Sequence, residues 1–238
     1  MLAPSGTSAP ASPQAAQVRA MFDGIARVYD AMNTLMTAGL HHRWRVRAAD
    51  MAALGPGDRV LDVATGTGDL AFELERRTGP SGEVVGSDFS EAMLERARAK
   101  GARRVRFEWA DALALPYADG SFDAATVGFG ARNFVDLGAG LREMVRVVRP
   151  GGRVVVLDIT TPTRPPLSHF FRLWFDRVVP VIGNVLGFSD AYAYLPRSVR
   201  GFASPEALAG EMERAGLGDI RYVLTAGSII AIHAGTVL

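Results

Sequence analysis

Five short runs rich in β-branched residues, at 59–63, 83–87, 104–109, 122–128 and 153–159, alternate along the chain with stretches of helical apolar spacing. Strands separated by helices pair in parallel through right-handed crossovers, which lay helices on both faces of the sheet. The 153–159 run is almost wholly apolar, as a strand covered on both faces requires. The alternation therefore predicts an α/β protein with a doubly wound, mostly parallel sheet, and two closing strands near 220–224 and 228–234 bring the strands to seven. Helices are expected at the N-terminus over 18–31 and 40–54. Others are expected over 69–78, from a Ser90 cap to about 100, over 137–148, and from the Ser204-Pro205-Glu206 start. An apolar helical insertion at 167–188 follows strand five. Residues 1–17, rich in Ala, Pro and Ser and without a basic group, read as a disordered leader, leaving 18–238 as a single domain.

Composition narrows the function. A chain of 238 residues buries roughly 70% of the surface its unfolded form exposes, so it needs neither disulfide nor metal to be stable. With 26 basic and 25 acidic residues the net charge is +1, which gives no electrostatic case for nucleic-acid binding. The absence of Cys excludes disulfides, thiolate metal sites and thiol nucleophiles. It suits a reducing compartment, so a cytoplasmic protein without a resident metal is expected. The most apolar stretch, 167–188, is interrupted by Arg172, Asp176, Arg177, Pro180 and Asn184, too often for the roughly 20 clean residues of a membrane span.

Ligands of open parallel sheets bind outside the carboxyl ends of the strands, which directs attention to the first strand-to-helix loop, Leu61-Asp-Val-Ala-Thr-Gly-Thr-Gly-Asp-Leu70. Gly66 and Gly68 permit backbone angles closed to other residues and let a ligand approach the main chain. Gly66-x-Gly68-x-x-Ala71 also meets the dinucleotide pattern, a weak signal alone. Charge decides between ligands. Asp62 and Asp69 flank the loop, and each would repel a pyrophosphate by roughly a kcal/mol or more while attracting an ammonium or sulfonium group. The loop therefore favours S-adenosyl-L-methionine over a nicotinamide dinucleotide. Asp88, at the end of strand two, can accept hydrogen bonds from ribose hydroxyls, and Asp111-Ala112, at the end of strand three, can hold adenine. The alternative is that these aspartates only cap turns, an account less economical for three at successive strand ends.

These residues resemble the ubiquinone/menaquinone biosynthesis C-methyltransferases from about Phe22 to the C-terminus. The resemblance rests on Tyr29-Asp-Ala-Met-Asn-Thr-Leu-Met-Thr-Ala-Gly-Leu-His-His-Arg-Trp44 and Arg146-Val-Val-Arg-Pro-Gly-Gly-Arg-Val-Val-Val-Leu-Asp-Ile-Thr160, with support from Gly128-Phe-Gly-Ala-Arg-Asn133 and Tyr192-Ala-Tyr-Leu-Pro-Arg-Ser198. Departures are mild: Thr37 for Ser, Arg149 for Lys, Asp158 for Glu and Thr160 for Ser. Gly128 replaces a serine that contacts the cofactor in some relatives. The resemblance implies a Rossmann-like methyltransferase fold, methyl transfer to the ring of demethylmenaquinol or a related polyprenyl quinol, and cofactor contacts at Thr67, Asp88, Asp111 and Ala112.

Such chemistry needs a ring made electron-rich by loss of a hydroxyl proton, held in line with the methyl, and finally stripped of its ring proton. Arg132, just past strand four, is a candidate to stabilise the oxyanion, the alternative being a salt bridge to a neighbouring helix. Asn133 is expected to orient the ring. His41 or Asp30 could take the proton, though for His41, beside His42 on a basic helix, a solvated face is the favoured reading. Phe170, Phe171, Trp174, Phe175, Val178 and Val179 form one apolar face of the insertion, opposite His169, Arg172 and Asp176. That face could cover a prenyl tail, touch a membrane surface, pack as core or join a homodimer. A methyltransferase of another small aromatic or lipid substrate and a nicotinamide dehydrogenase are the competing readings.

Overall fold

The computed structural model describes residues 12–101, 104–179, 181 and 189–238. Three helices, α1 (Pro13–Ile25), α2 (Tyr29–Thr37) and α3 (Leu40–Met51), precede β1 (Arg59–Val63), α4 (Asp69–Thr78), β2 (Glu83–Asp88), α5 (Glu91–Ala99) and β3 (Val105–Trp109). Then come β4 (Phe122–Gly128), a 3-10 turn (Ala131–Asn133), α6 (Leu137–Val147), β5 (Val148–Ile159), α7 (Leu167–Leu173) and a π-turn (Trp174–Val178). The chain closes with α8 (Ser189–Gly201), α9 (Pro205–Arg214), β6 (Leu217–Thr225) and β7 (Ile230–Val237).

The seven strands lie in the order β3-β2-β1-β4-β5-β7-β6, with β7 antiparallel to both neighbours. The expected doubly wound, mostly parallel sheet is present. Strand alternation builds a core on each face: Leu61, Val63, Val154 and Val156 join Leu141, Met144 and Leu208, whereas Val60, Val155 and Leu157 join Ala48, Leu70 and Leu74. After β1 the chain runs outward through β2 and β3, then returns to place β4 on the other side of β1. That reversal opens a crevice outside the ends of β1 and β4. The two loops there nearly touch, since a Cβ on Gly130 would come within 2.7 Å of the Ala64 Cβ.

Four local expectations change. The first helix starts five residues early, because Ser12 caps Ala15 N at 3.1 Å and Pro13 occupies the first turn. This reassigns 13–17 from the leader, whose residues 1–11 lie outside the described residues. The single helix expected over 18–31 is two, with a turn at 26–28 that lets Phe22, Ile25 and Tyr29 converge on Met93. β5 begins at Val148, five residues before the apolar run, and α8 stands where no element is expected. The insertion face also divides. Phe171, Phe175 and Val179 are buried, Trp174 is half-buried, and Phe170 is 56% exposed. Residues 180 and 182–188 of that stretch lie outside the described residues.

Candidate active site

A cavity of about 250 Å³ opens over the ends of β1, β2 and β3. Asp62, Gly66, Thr67, Asp88, Asp111 and Ala112 all line it. Gly66 has φ +57, and a Cβ there would meet nothing within 4 Å, so the backbone faces open space. Asp88 braces the loop: its Oδ2 accepts from Gly66 N at 2.8 Å and its Oδ1 from Ser90 N at 2.9 Å. The Phe89 N–H also bonds this carboxylate, which leaves about one acceptor site for a ligand hydroxyl. Asp111 Oδ1 accepts from Leu113 N at 2.9 Å, which aims the turn after β3. Asp62 is sealed beneath the loop, accepting from the hydroxyls of Thr65 and Thr126, both at 2.6 Å. Burial pushes both the Asp62 and the Asp88 carboxyl up to about 6, so each is mostly ionised at pH 7 and gains protons as the pH falls below 6.

Two expectations for this loop are corrected. Gly68 does not line the cavity; a Cβ there would come within 2.7 Å of the Phe107 ring, and its φ of +84 starts α4, so its role is close packing against β3. Asp69 does not face the cavity either. Lys100 Nζ holds its Oδ1 at 2.6 Å, and Arg45 lies 3.6 Å from Oδ2. The local positive charge offsets that of Asp69, leaving Asp62 as the carboxylate of the loop that lines the cavity.

Sequence reasoning missed the rest of the wall. Phe89, Met93 and Trp109 supply apolar surface beside Asp88 and Asp111, and Ser12, Ala15, Arg19 and Phe22 close the cavity from α1. The Ser12-Pro13 start and the spacing of Ala15, Val18 and Phe22 carried that signal, masked by the Ala/Pro/Ser composition around it.

A second cavity, of about 570 Å³, adjoins the first. Phe22, Tyr29, Arg45, Phe129 and Asn133 line both, so the two share one wall. The remainder is mostly apolar, from Met32, Trp44, Ile159, Phe171, Phe175 and Val179 among others. Of its polar groups, Arg45 and Asn133 belong to the shared wall, and Arg132 and Tyr194 adjoin Asn133. The Arg132 guanidinium bonds Asp158 Oδ1 and Phe129 O, each at 2.6 Å through one nitrogen, while Asp158 Oδ2 accepts from Arg132 N. The salt bridge thus goes to β5, not to a helix. Arg132 Nε is buried without a hydrogen-bond partner, and Asp158 helps hold the Arg132 pKa above its ordinary value against burial. The Tyr194 hydroxyl donates to Asn133 Oδ1 at 3.1 Å.

His41 is buried and lines the second cavity, so the solvated-face expectation fails. Thr37 donates its hydroxyl to Asn33 O at 2.6 Å and lies 2.7 Å from His41 Nδ1. With that proton committed, Nδ1–H must donate to Thr37, which leaves Nε2 as the basic nitrogen. Burial lowers the His41 pKa to about 4, so the ring is neutral at pH 7. Asp30 turns away from both cavities, accepting from Thr67 at 2.6 Å and pairing with Lys100 at 2.8 Å. It is withdrawn as a proton acceptor. His41, His42 and Asp69 bring ligand atoms within 4.8 Å of one another, but Lys100 already pairs with the carboxylate of that group.

Solved structures share this architecture. A SAM-dependent methyltransferase from Thermotoga maritima matches with a TM-score of 0.63 at 20% identity, covering 91% of this chain and 99% of that one. The cyclase SpnF matches with a TM-score of 0.68 at 20% identity over 98% and 99%. Fold alone therefore does not decide the reaction. The strand-end carboxylates, the open Gly66 backbone and the adjoining apolar cavity fit a nucleoside carrying a cation beside an apolar acceptor. Together with the fold they define an S-adenosylmethionine-dependent methyltransferase.

The chain belongs to the ubiE/COQ5 methyltransferase family, whose sequence model matches residues 11–237. It is 48% identical over 219 residues to the demethylmenaquinone methyltransferase of Thermus thermophilus, covering 90% of this chain and 99% of the relative. It is 42% identical over 225 residues to the ubiquinone/menaquinone biosynthesis C-methyltransferase UbiE of a Geobacter species, covering 92% and 96%. The nicotinamide alternative falls with this assignment.

Proposed function

We propose that this chain transfers the methyl group of S-adenosylmethionine to a ring carbon of demethylmenaquinol, or of a related polyprenyl benzoquinol, in menaquinone or ubiquinone biosynthesis. The observation that carries the reading is the large apolar cavity sharing a wall with the donor cavity. A quinone ring with a hydrocarbon tail needs such a lining. The two relatives at 48% identity, both named demethylmenaquinone methyltransferase, favour the naphthoquinol.

When bound, S-adenosylmethionine supplies an electrophilic methyl on sulfonium. Asp88 receives the ribose hydroxyls, Asp111 and the Ala112 backbone receive the adenine, Thr67 and Gly66 line the loop, and Asp62 meets the ammonium. Arg132 directs its free Nε–H at a ring oxygen and stabilises the negative charge that makes the neighbouring carbon nucleophilic. Asn133, steadied by Tyr194, orients the ring at the shared wall. The ring carbon would take the methyl as the S–CH3 bond breaks to leave a neutral thioether, and His41 Nε2 would then receive the proton that the ring carbon releases. Incubation with methyl-labelled S-adenosylmethionine and demethylmenaquinol, a demethylated benzoquinol or neither should place label on the naphthoquinol ring. Label on neither quinol refutes the reading.

In the proposal the tail leaves past Leu35, 65% exposed, and Phe170, which line the second cavity, along a strip that the exposed Leu173 and Val181 extend beside Arg172 and Arg177. No helix among the described residues is long and apolar enough to cross a membrane. In the proposal this strip rests on the inner face of the membrane, and a cytoplasmic enzyme draws its substrate from the bilayer. Flotation with anionic vesicles containing the quinol tests it; protein left at the bottom of the gradient would remove the membrane contact but leave the methyl transfer standing.

A further inference from the structure

The polar wall between the two cavities contains one cation without a sufficient partner. Arg45 projects from α3, is only 6% exposed, and lines both cavities. Its Nη1 is buried and has no hydrogen-bond partner. The nearest carboxylate, Asp69 Oδ2, stands 3.6 Å away, beyond hydrogen-bond distance, and Asp69 is already engaged by Lys100 at 2.6 Å. The guanidinium otherwise lies 5.4 Å from the centroid of the Phe129 ring, a contact that supplies no acceptor atom. A buried guanidinium with an open N–H is costly, and native proteins keep one where a ligand completes it.

The donor's shape says which ligand group that is. Its ribose and adenine belong at Asp88 and Asp111, so its amino-acid end must lie over the Gly66 loop, where Asp62 takes the ammonium. The same end carries a carboxylate, and that group needs a cation. Among the described residues two basic side chains line the donor cavity, Arg19 and Arg45. Arg19 sits on α1 within 3.8 Å of Asp23, whose other oxygen accepts from Ser90 beside Asp88. That places Arg19 at the ribose side. Arg45 shares its surroundings with Asp62, Phe129 and the second cavity, at the side where the methyl leaves.

We propose that Arg45 is the carboxylate anchor of the donor site, its unpartnered Nη1–H donating to the α-carboxylate of S-adenosylmethionine and so selecting the zwitterionic donor over a decarboxylated one. The assignment rests on reading the first cavity as the donor site. Arg45 thereby becomes a positioning residue as well, because a carboxylate fixed at the shared wall sets where the sulfonium methyl enters the second cavity.

The test is calorimetric binding of S-adenosylhomocysteine and of its decarboxylated counterpart, which needs no turnover. The parent protein should bind S-adenosylhomocysteine about tenfold to a hundredfold more tightly, the range of a charged hydrogen bond. Arg45→Gln should erase most of that preference by weakening S-adenosylhomocysteine while changing affinity for the decarboxylated ligand by less than about twofold. Arg45→Lys, which keeps the charge, should recover part of the preference. Equal binding of the two ligands by the parent protein, which requires no variant to fold, overturns the anchor and leaves the donor site intact. So does an equal loss for both ligands in Arg45→Gln. Binding of neither ligand by the parent protein overturns the donor site itself, and the anchor with it.

Discussion

The donor and quinol cavities share a wall but are built in opposite ways. The donor cavity is assembled from short loops at the ends of adjacent parallel strands, each contributing a carboxylate braced by backbone N–H groups or hydroxyls within a few residues or on a neighbouring strand. The quinol cavity is assembled from helices far apart in sequence, and its lining is chosen for shape and lack of polarity. Strand ends are held by the ladder and tolerate little movement. Helical faces are held by side-chain packing. In the proposed reading, recognition of the donor is electrostatic and local, and recognition of the acceptor is hydrophobic and distributed.

The contrast breaks most sharply at Arg132, which lines the second cavity yet is proposed to act by charge. Arg132→Lys keeps a cation for the buried Asp158 but loses the Nε donor, and turnover should fall by about a hundredfold or more with donor affinity unchanged. Arg132→Ala should in addition cost about 3–5 kcal/mol of stability, because it strands the Asp158 charge. Steady-state kinetics with a thermal melt separates the two effects; full turnover in Arg132→Lys removes Arg132 Nε from the mechanism.

At the donor cavity, Asp88→Ala removes the brace on Gly66 and the ribose partner together. Donor affinity should drop by about 1–2 kcal/mol or more, roughly tenfold, while the quinol KM stays put. Calorimetry giving the parent's affinity would end that role.

A smaller effect concerns protons. Asp62 and Asp88 have folded pKa values near 6, above those of an unfolded chain, so the stability they contribute is present at low pH and is lost as pH rises from about 4 through 6. His41, with its pKa lowered to about 4, works in the reverse sense: its contribution is present above about 6.5 and is lost as pH falls through 4. The two trends oppose each other in a melt, but donor binding isolates the carboxylates. An ammonium near Asp62 and hydroxyls on Asp88 favour the ionised forms, so binding should release protons near pH 6 and tighten by several-fold between pH 5 and 7. Titrations in buffers of different ionisation enthalpy measure the release, and Asp62→Asn should reduce it. Proton-neutral binding at pH 6 contradicts the assignment.

The smallest effect tests why Gly128 lacks the serine of some relatives. A Cβ there would come within 2.9 Å of Leu70 Cδ2, so Gly128→Ser should cost about 1 kcal/mol through crowding in the β4–α4 packing and give no gain in donor affinity. A tighter donor complex in this variant would reveal a contact that the glycine forgoes.

The two cavities also differ in how far the sequence makes them legible. Strand boundaries at 59–63 and 122–128 and the helix at 69–78 follow from local patterning, because a β-branched run and a capped periodic segment carry their own structure. The same holds for Asp62, Asp88, Asp111 and Ala112, since strand order alone delivers residues at strand ends to one crevice. Gly68 reads as a ligand contact from the same loop because a glycine that packs and a glycine that yields to a ligand look identical in sequence; the Phe107 ring distinguishes them.

Sequence by itself determined the winding of the sheet and the acidic side chains at its strand ends, because those depend on residues close together in the chain. Tertiary structure decided which charges remain free. Lys100, at the end of α5, removes Asp69 and Asp30 from the chemistry, β5 supplies the partner of Arg132, and packing of the N-terminal helices buries His41 and Arg45. A side chain's charge is written in its identity, but its availability depends on neighbours that only long-range packing brings within a few ångströms.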